Sequence, residues 1–267
     1  MSYFLYDSDM KRLLFFDIDG TLAIGKQVPA SAAKALEMVR ENGDLVFICT
    51  GRNVNYVKAN FSAYADGFIT NNGRLAYYED ACIYEAPLAK EEVRKIRSIV
   101  EDLGAGAVFH TKDHGYYEGP EDLFEPLKII GDPGYMSPSF KEEEVYYSFD
   151  LCYHDVREVD KIVKAFDGFC IVNPHGPHPS ADMTVIGSDK GDALKAVRDH
   201  FNVKKEDSYA FGDGYNDICM MKAAGHGIAM GNAMKETKEA AEYITTDILK
   251  DGVYEAMLHY GLIEGEE

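Results

Sequence analysis

The chain alternates short apolar runs with longer segments whose apolar residues recur every three or four positions. The runs at residues 12–17, 44–50 and 67–73 are brief and almost continuously apolar, which is typical of strands buried on both faces. Between them, residues 29–43 open with proline and close with glycine, and residues 54–64 have their apolar positions at helical spacing. This alternation of strand and helix predicts a parallel sheet covered by helices on both faces.

The same alternation returns near the C-terminus, and a different pattern separates the two parts. In the C-terminal part we predict helices at 190–201, 216–224 and 253–260, and strands at 208–213 and 226–231. In the middle we predict a helix at 90–103, a hairpin at 106–119, a Pro/Gly-rich link at 131–138, a strand at 146–154, a helix at 157–166 and a strand at 168–173. We therefore predict a doubly wound, Rossmann-like α/β core from residues 1–80 and 183–267, with an inserted α+β domain at 81–182 and hinges near 77–87 and 181–188.

Polar side chains follow three predicted strands of the core. They are Asp17, Asp19, Gly20 and Thr21 after the first strand, Thr50, Gly51 and Arg52 after the second, and Asp213, Asn216 and Asp217 after the strand at 208–213. In parallel α/β sheets, ligands bind at the carboxyl ends of the strands. Each group alone fits an ordinary turn or helix cap. Together, at the ends of several strands, they predict a functional site at one edge of the sheet.

The residue types at this edge indicate a cation and a phosphate. Three or more carboxylates gathered there would repel one another unless a hard cation lay among them. Oxygen ligands of this kind favour Mg²⁺ over zinc. Lys190 opens a predicted helix, where its charge is unfavourable against the helix dipole. We therefore consider Lys190 a candidate cation for holding a phosphoryl group, although a solvated surface lysine is an equal alternative at this point.

Charge and cysteine content limit the possible binding partners and the expected cellular compartment. The chain has 27 basic and 46 acidic residues, a formal net charge of −19, which argues against nucleic acid and anionic membrane surfaces as partners. The five cysteines are scattered without a Cys-x-x-Cys pair, as expected of thiols in a reducing compartment. We find no signal-peptide pattern and no apolar stretch long enough for a membrane span. A cytoplasmic protein without membrane partners is the expectation.

The ordered motifs resemble those of the haloacid dehalogenase superfamily. The four are Asp17-x-Asp19-Gly20-Thr21, Thr50-Gly51-Arg52, Lys190, and Gly212-Asp213-x-x-Asn216-Asp217. The position of the inserted domain, between the second and third motifs, most resembles the Cof-type phosphatases. The stretches "ITNNGR" at 69–74 and "GDGYNDICMMKAAGHGIAMGNA" at 212–233 are similar to that group as well.

This resemblance implies a Mg²⁺-dependent phosphatase for small phosphate monoesters, with sugar phosphates as the expected class. Asp17 would be the nucleophile that forms an aspartyl-phosphate, and Asp19 the general acid and base. Asp17, the Asp19 backbone carbonyl and Asp213 would hold Mg²⁺. The resemblance further implies that Thr50, the Gly51 N–H and Lys190 bind the phosphate, and that Arg52 either contacts phosphate or supports its loop. Asn216 and Asp217 would orient Lys190 or metal-bound water, with Asn216 as a candidate for phosphate binding and Asp217 as a candidate for the metal site.

Several alternatives remain at this level. A hexose phosphomutase shares the core but transfers the phosphoryl group to a sugar, and a binding protein for phosphorylated metabolites would keep the site without turnover. A receiver-type signalling domain also places acidic residues, Thr and Lys around Mg²⁺, but is far shorter. In the inserted domain, the proline between His175 and His178 favours an ordinary loop over a metal site. These histidines could instead line the substrate face with Asn173, Tyr116 and Tyr117, although packing is the more common role of a tyrosine. The partner would be a small phosphorylated metabolite, and both a monomer and a homodimer are compatible with the sequence.

Overall fold

Two β-sheets organise the part of the chain that the structure describes. The structure is a computed structural model, and it describes residues 12–124 and 135–265. Its strands are β1 (Leu13–Phe16), β2 (Leu45–Cys49), β3 (Gly67–Thr70), β4 (Leu75–Tyr78), β5 (Ala81–Glu85), β6 (Gly106–His110), β7 (Gly115–Glu118), β8 (Met136–Ser137), β9 (Ser148–Cys152), β10 (Cys170–Pro174), β11 (Ser180–Val185), β12 (Ser208–Gly212), β13 (His226–Ala229) and β14 (Tyr243–Ile244). Its α-helices are α1 (Ala30–Glu41), α2 (Val54–Phe61), α3 (Lys90–Leu103), α4 (Val159–Ala165), α5 (Lys190–Phe201), α6 (Ile218–Ala223), α7 (Lys235–Ala240) and α8 (Gly252–His259). In the described ranges, no helix is both long and apolar enough to cross a bilayer.

The larger sheet is parallel over six of its eight strands. Its order is β14-β13-β12-β1-β2-β3-β4-β5, and only β4 and β5 run antiparallel to their neighbours. Strand β1 lies in the interior of the sheet, where Phe16 pairs with Phe211 of β12 and with Ile48 of β2. The chain therefore leaves β1, β2 and β12 at the same edge. The predicted doubly wound core is confirmed.

Helices cover both faces of the larger sheet because successive side chains on each strand point to opposite faces. On β1, Leu14 and Phe16 belong to a buried cluster with residues of α1 and α8. Leu13 and Phe15 belong to a second cluster with residues of α5 on the other face. All four side chains are fully buried, which explains why the run carries no polar residue.

The smaller sheet is formed by the inserted segment and has the order β10-β11-β9-β6-β7-β8. It is antiparallel except for the short pairing of β7 with β8. One face packs on α3 and α4 through a buried cluster that contains Ile96, Phe109, Phe149, Ile162 and Phe166. The predicted hairpin at 106–119 is β6 and β7. We call this unit, from α3 to β11, the cap.

The two sheets divide the chain at residues that differ from the predicted bounds of the inserted domain. The strand Ala81–Glu85 pairs with β4 in the larger sheet, although residue 81 was the predicted start of the inserted domain. Strand β11 extends to Val185 in the smaller sheet, past the predicted end at residue 182. The side chains of β5 are half-buried or exposed, because β5 is an edge strand, so its sequence lacks the apolar pattern of a core strand.

Elements with strong periodicity agree best with the prediction. Helices α3 and α5 have the predicted bounds of 90–103 and 190–201. Strands β4, β5, β8, β11 and β14 and helix α7 were not predicted, and three of these elements, β8, β14 and α7, are very short. The predicted link at 131–138 lies partly outside the described residues.

Replacing Phe47 by Ala should lower the free energy of unfolding by about 3–5 kcal/mol. The Phe47 ring is fully buried and lies 5.6 Å from the Phe15 ring and 5.9 Å from the Phe201 ring, measured between centroids. Urea unfolding measures the loss. Leu249→Ala is the control, because Leu249 is 76% exposed and its truncation should change stability by less than about 0.5 kcal/mol. Similar losses in both variants would contradict the packing described here.

Candidate active site

The carboxyl end of β1 places Asp17 beside the chain that leaves β12. The backbone N–H of Asp17 donates a hydrogen bond of 3.0 Å to the carbonyl of Phe211, so the pairing continues one residue beyond the strand. Asp213 directly follows β12. Asp17, Asp213 and Asp217 each present one carboxylate oxygen within 4.8 Å of the other two. The structure thus brings together three carboxylates that the sequence placed after two different strands.

The ammonium group of Lys190 lies inside this acidic cluster. Its side chain is 1% exposed, and Nζ donates hydrogen bonds to Asp17 Oδ1 at 2.6 Å and to Asp217 Oδ1 at 2.7 Å. The N-terminus of α5 has its own cap, because Asp189 Oδ1 accepts from the N–H groups of Gly191 and Asp192. Lys190 is therefore directed at the carboxylates, and the alternative of a solvated surface lysine is wrong.

Both carboxylate oxygens of Asp217 accept hydrogen bonds. In addition to the contact with Lys190, its Oδ2 accepts from the backbone N–H groups of Asp213 and Gly214 at 3.0 and 2.9 Å. This arrangement fixes the loop that carries Asp213. Asn216 is half-buried on the same loop, and its side chain lies against Gly214. The geometry favours a positioning role for Asp217 over a place in the metal shell.

Gly20 and Thr21 shape the pocket for Asp213. Thr21 Oγ1 donates a hydrogen bond of 2.8 Å to Asp213 Oδ1. Gly20 has φ +89°, and a Cβ atom there would lie 2.4 Å from Asp213 Oδ2. Both the backbone conformation and the space require glycine at this position. Sequence reasoning assigned no separate role to Gly20 or Thr21.

The Thr50–Arg52 loop lies at the end of β2 and is held by backbone hydrogen bonds. Thr50 is buried, its N–H donates to the Ile69 carbonyl at 2.9 Å, and its Oγ1 accepts from the Arg52 N–H at 3.2 Å. The Asn72 N–H donates to the Thr50 carbonyl at 3.2 Å. These contacts join the loop to the segment that follows β3.

Asp19 differs from the other predicted site residues. Its side chain is 48% exposed and accepts a hydrogen bond of 3.0 Å from Arg52 Nε. The Arg52 guanidinium also lies 4.5 Å from the centroid of the Tyr56 ring, a favourable cation–π distance. The Asp19 carboxylate therefore forms a separate ion pair at the rim of the cluster.

The electrostatics of the cluster favour binding of a further cation. Burial raises the pKa of Asp17 well above its usual value, and Asp217 adds to this effect although Lys190 opposes it. Burial and Asp217 likewise raise the pKa of Asp213 to about 6. Burial alone would lower the pKa of Lys190, but Asp17 and Asp217 raise it, so the ammonium stays charged. Three carboxyl groups share one ammonium here, and an all-oxygen donor set of this kind fits a hard divalent cation.

A family model of haloacid dehalogenase-like hydrolases matches residues 14–257. The chain belongs to this family. The matched range begins in β1 and ends in α8, so it includes the larger sheet, the cap and every residue of the cluster. The predicted superfamily and enzyme class, a phosphatase of the haloacid dehalogenase type, are confirmed.

Individual relatives match along nearly the whole chain. The chain is similar to the protein YkrA of Bacillus subtilis (strain 168), with 30% identity over 260 residues, 95% of this chain and 99% of that protein. It is similar to the 5-amino-6-(5-phospho-D-ribitylamino)uracil phosphatase YcsE of the same organism, with 27% identity over 96% of this chain and 98% of that protein. Among solved structures it is similar to the sugar phosphatase BT4131 of subclass IIB, with a TM-score of 0.78, 30% identity, and coverage of 94% and 100%.

The cap contributes a carboxylate that sequence reasoning missed in this haloacid dehalogenase-like hydrolase. A Cβ atom on Gly51 would lie 2.9 Å from Asn72 Oδ1 and 3.2 Å from Asp182 Oδ2, so the two side chains flank the Thr50–Arg52 loop. Asp182 Oδ1 lies 2.9 Å from His175 Nε2. This hydrogen bond raises the pKa of His175, and it lowers the pKa of Asp182 although burial opposes that shift. The sequence pointed to this region through the "ITNNGR" stretch, which contains Asn72, and through His175, which contacts Asp182. Only the fold brings Asn72 and Asp182 to Gly51.

The other cap candidates are placed differently. Tyr116 and Tyr117 are 8% and 2% exposed and belong to the apolar clusters of the cap. His178 is exposed, whereas both ring nitrogens of His175 contact oxygen atoms of Ser180 and Asp182. Within the described residues, the one group of carboxylates, His and Cys with suitable spacing for a metal is that of Asp17, Asp213 and Asp217. The structure does not favour a metal site at His175 and His178.

Replacing Lys190 by Met should lower the free energy of unfolding by about 3–5 kcal/mol at pH 8, because Asp17 and Asp217 lose their buried counter-charge. The direction of the pKa change determines how the stability of this variant depends on pH. Without the ammonium, the pKa of Asp17 rises further above its unfolded value, so the variant loses stability as pH rises and regains part of it toward pH 5. Urea unfolding at several pH values measures both effects.

Lys195→Met is the matched control on the same helix. Lys195 is half-exposed and pairs with Asp192 at 3.0 Å, so its replacement should cost less than about 1 kcal/mol with little pH dependence. Equal losses in the two variants would contradict the buried ion pair.

Proposed function

We propose that this enzyme is a Mg²⁺-dependent phosphatase that hydrolyses small phosphate monoesters, with sugar phosphates as the preferred class. The observation that carries the proposal is the carboxylate of Asp17 at the carboxyl end of β1, 2.6 Å from the buried ammonium of Lys190 and beside Asp213. A nucleophilic carboxylate needs positive charge beside it, here the Lys190 ammonium, to offset its repulsion of the negatively charged phosphate.

Asp17 acts as the nucleophile in this proposal. Its free carboxylate oxygen attacks phosphorus, the ester P–O bond breaks, and an aspartyl-phosphate forms while the leaving alkoxide takes up a proton. Water then attacks the phosphorus of the aspartyl-phosphate and releases inorganic phosphate. Lys190 holds Asp17 in place and offsets negative charge on the transferring group.

Asp19 carries the proton that the leaving group needs. Its carboxylate lies at the open side of the cluster and is held by Arg52. An incoming phosphate dianion competes with Asp19 for the Arg52 guanidinium, which is well suited to bind phosphate. Released from Arg52 by the substrate, Asp19 takes up a proton from solvent and gives it to the leaving oxygen as general acid. It then takes a proton from the attacking water as general base.

The phosphoryl group is bound by the loop after β2 and by Lys190. The hydroxyl of Thr50 and the backbone N–H of Gly51 supply donors at the same edge of the sheet as Asp17. Asn216 lines the cavity beside Lys190 and is a further donor for the phosphate.

Mg²⁺ fits the donor set of the cluster. Asp17, Asp213 and the backbone carbonyl of Asp19 would hold it, while Asp217 orients Lys190 and the Asp213 loop. When bound, the ion supplies positive charge that stabilises the phosphoryl oxygens during transfer.

The cap selects the substrate in this proposal. A cavity of about 570 Å³ is lined by Asn72, Lys190 and Asn216 of the core together with residues of α6 and α7, and by Ile171 and Thr184 of the cap. Its size is that of a typical small-molecule site. BT4131 is a sugar phosphatase and YcsE acts on a phosphoribityl compound, and both names support a polyhydroxylated substrate.

Asp17→Asn should lower kcat for p-nitrophenyl phosphate by at least about 10³-fold, because the amide cannot attack phosphorus. Release of inorganic phosphate is measured, and far-UV circular dichroism should be unchanged. Asp199→Asn, an exposed carboxylate on α5, is the control with full activity expected. Turnover in Asp17→Asn above about a tenth of the wild-type rate would contradict a role of Asp17 as nucleophile. Free phosphate as the product also separates hydrolysis from transfer to a second sugar phosphate, as in a hexose phosphomutase, and from binding without turnover.

Mg²⁺ should raise the thermal stability of the protein, by about 2.7 kcal/mol at a concentration 100-fold above its Kd. The gain should disappear in Asp213→Asn and persist in Asp199→Asn. Because the pKa of Asp213 is raised to about 6 by burial, protons compete with the ion, and the gain should be smaller at pH 5.5 than at pH 7.5. Equal stabilisation of both variants by Mg²⁺ would place the ion elsewhere.

A further inference from the structure

The side chain of Asn72 is buried without a hydrogen-bond partner. The residue is 3% exposed, and within the described part of the chain neither Oδ1 nor Nδ2 has a partner. Its backbone N–H is already used by Thr50. A buried carboxamide normally has its donor and acceptor satisfied, so the unpaired group points to a ligand that is missing from the contacts of the chain itself.

The backbone around Asn72 holds this side chain in place. Asn71 and Asn72 have φ values of +53° and +54°, in the left-handed region that few residues other than glycine adopt. Gly73 follows with φ +90°, and a Cβ atom there would lie 2.2 Å from the backbone carbon of Asp189. The turn is thus pressed against the start of α5, directly beside Lys190. Strained residues of this kind concentrate at functional sites.

Asn72 lies next to the Thr50–Arg52 loop and on the cavity that Lys190 also lines. It lines the cavity of about 570 Å³ together with Lys190 and Asn216, and it also lies against Gly51. A molecule whose phosphate is bound by Gly51 and Lys190 would therefore have the atoms nearest to its ester oxygen within reach of Asn72.

Asp182 approaches Gly51 from the cap. It lies on β11 opposite Asn173 of β10 and Asp150 of β9, on the face of the cap sheet that is not covered by α3 and α4. His175 holds one of its oxygens, and the other oxygen lies against Gly51. Asn72 supplies a donor and an acceptor, and Asp182 supplies an acceptor that carries negative charge.

We infer that Asn72 and Asp182 bind hydroxyl groups on the organic part of the substrate, next to the phosphate ester. A hydroxyl accepts from Asn72 Nδ2 and donates to Asp182 or to Asn72 Oδ1, so it satisfies groups that an alkyl chain would leave unpaired. The charge of Asp182 disfavours a second phosphate or a carboxylate at this position. The preferred substrates are therefore alditol or sugar monophosphates. This inference rests on the proposed phosphatase function and specifies the residues that choose its substrate.

The test compares two substrates that differ in their hydroxyl groups. Sorbitol 6-phosphate and hexyl phosphate are both six-carbon primary esters, and kcat/KM is measured for each from phosphate release. The wild-type enzyme should prefer sorbitol 6-phosphate. The ratio of the two kcat/KM values should fall by about 10- to 100-fold in Asn72→Gly and in Asp182→Asn, as expected for loss of one buried hydrogen bond, charged or neutral.

The variants and controls separate recognition from folding. Glycine tolerates the positive φ of residue 72, so Asn72→Gly removes the carboxamide without backbone strain. Asn60→Ala is the control, because the Asn60 side chain donates to the Tyr56 carbonyl of its own helix α2, and it should leave the ratio unchanged. Urea unfolding verifies that each variant is folded.

The outcomes distinguish this inference from the proposed function. If the wild-type enzyme releases no phosphate from sorbitol 6-phosphate, hexyl phosphate or p-nitrophenyl phosphate, the proposed function is wrong. If it hydrolyses them but shows no preference for the hydroxylated ester, or if neither Asn72→Gly nor Asp182→Asn changes the ratio, the recognition by Asn72 and Asp182 is overturned while the phosphatase function stands.

Discussion

The hydrogen bonds from the Lys190 ammonium to Asp17 and Asp217 are the interaction around which the core is arranged. The first joins residues 173 positions apart, across the whole cap, and both lie in a region from which water is almost excluded. An unpaired charge in such a place would be strongly destabilising. The ammonium and the two carboxylates meet only if β1, β12 and α5 are all in place. The ion pair therefore depends on the complete core, and its carboxylates are ready for chemistry only in the folded chain.

The geometry of this pair follows from elementary properties of the strands. The apolar run of β1 buries side chains on both faces of the sheet, so the first polar residue can appear only where the strand ends. Parallel pairing with β12 brings Asp213 to the same edge, and Gly20 leaves the space that the Asp213 carboxylate occupies. The acidic cluster is thus the consequence of a buried strand, a parallel neighbour and one missing Cβ atom.

Sequence patterns predicted the parts that depend on local order and strand direction. Asp17 and Asp213 were placed correctly at one edge, because strand ends and parallel pairing suffice to locate them, whereas the residues alone left Lys190 equally compatible with a solvated surface position. The ion pair between Asp19 and Arg52 was not predictable, since it depends on which way two side chains turn at the rim. The approach of Asp182 to Gly51 depends on how the cap packs on the core, and the edge strand β5 lacks the apolar pattern that would have assigned it to the larger sheet.

The segment "ITNNGR" shows how one short turn connects the two units. Asn71 reaches the cap, where its Nδ2 donates to Ser148 Oγ at 3.2 Å, while Asn72 lies against Gly51 and Gly73 packs on the first turn of α5. Three consecutive residues therefore contact the cap, the Thr50–Arg52 loop and the helix that carries Lys190. Left-handed backbone at all three positions is unfavourable in an isolated chain, so the surrounding contacts must stabilise it. A change in the position of the cap would act on Asn71 first, and through the same turn it would shift the carboxamide of Asn72 relative to Lys190.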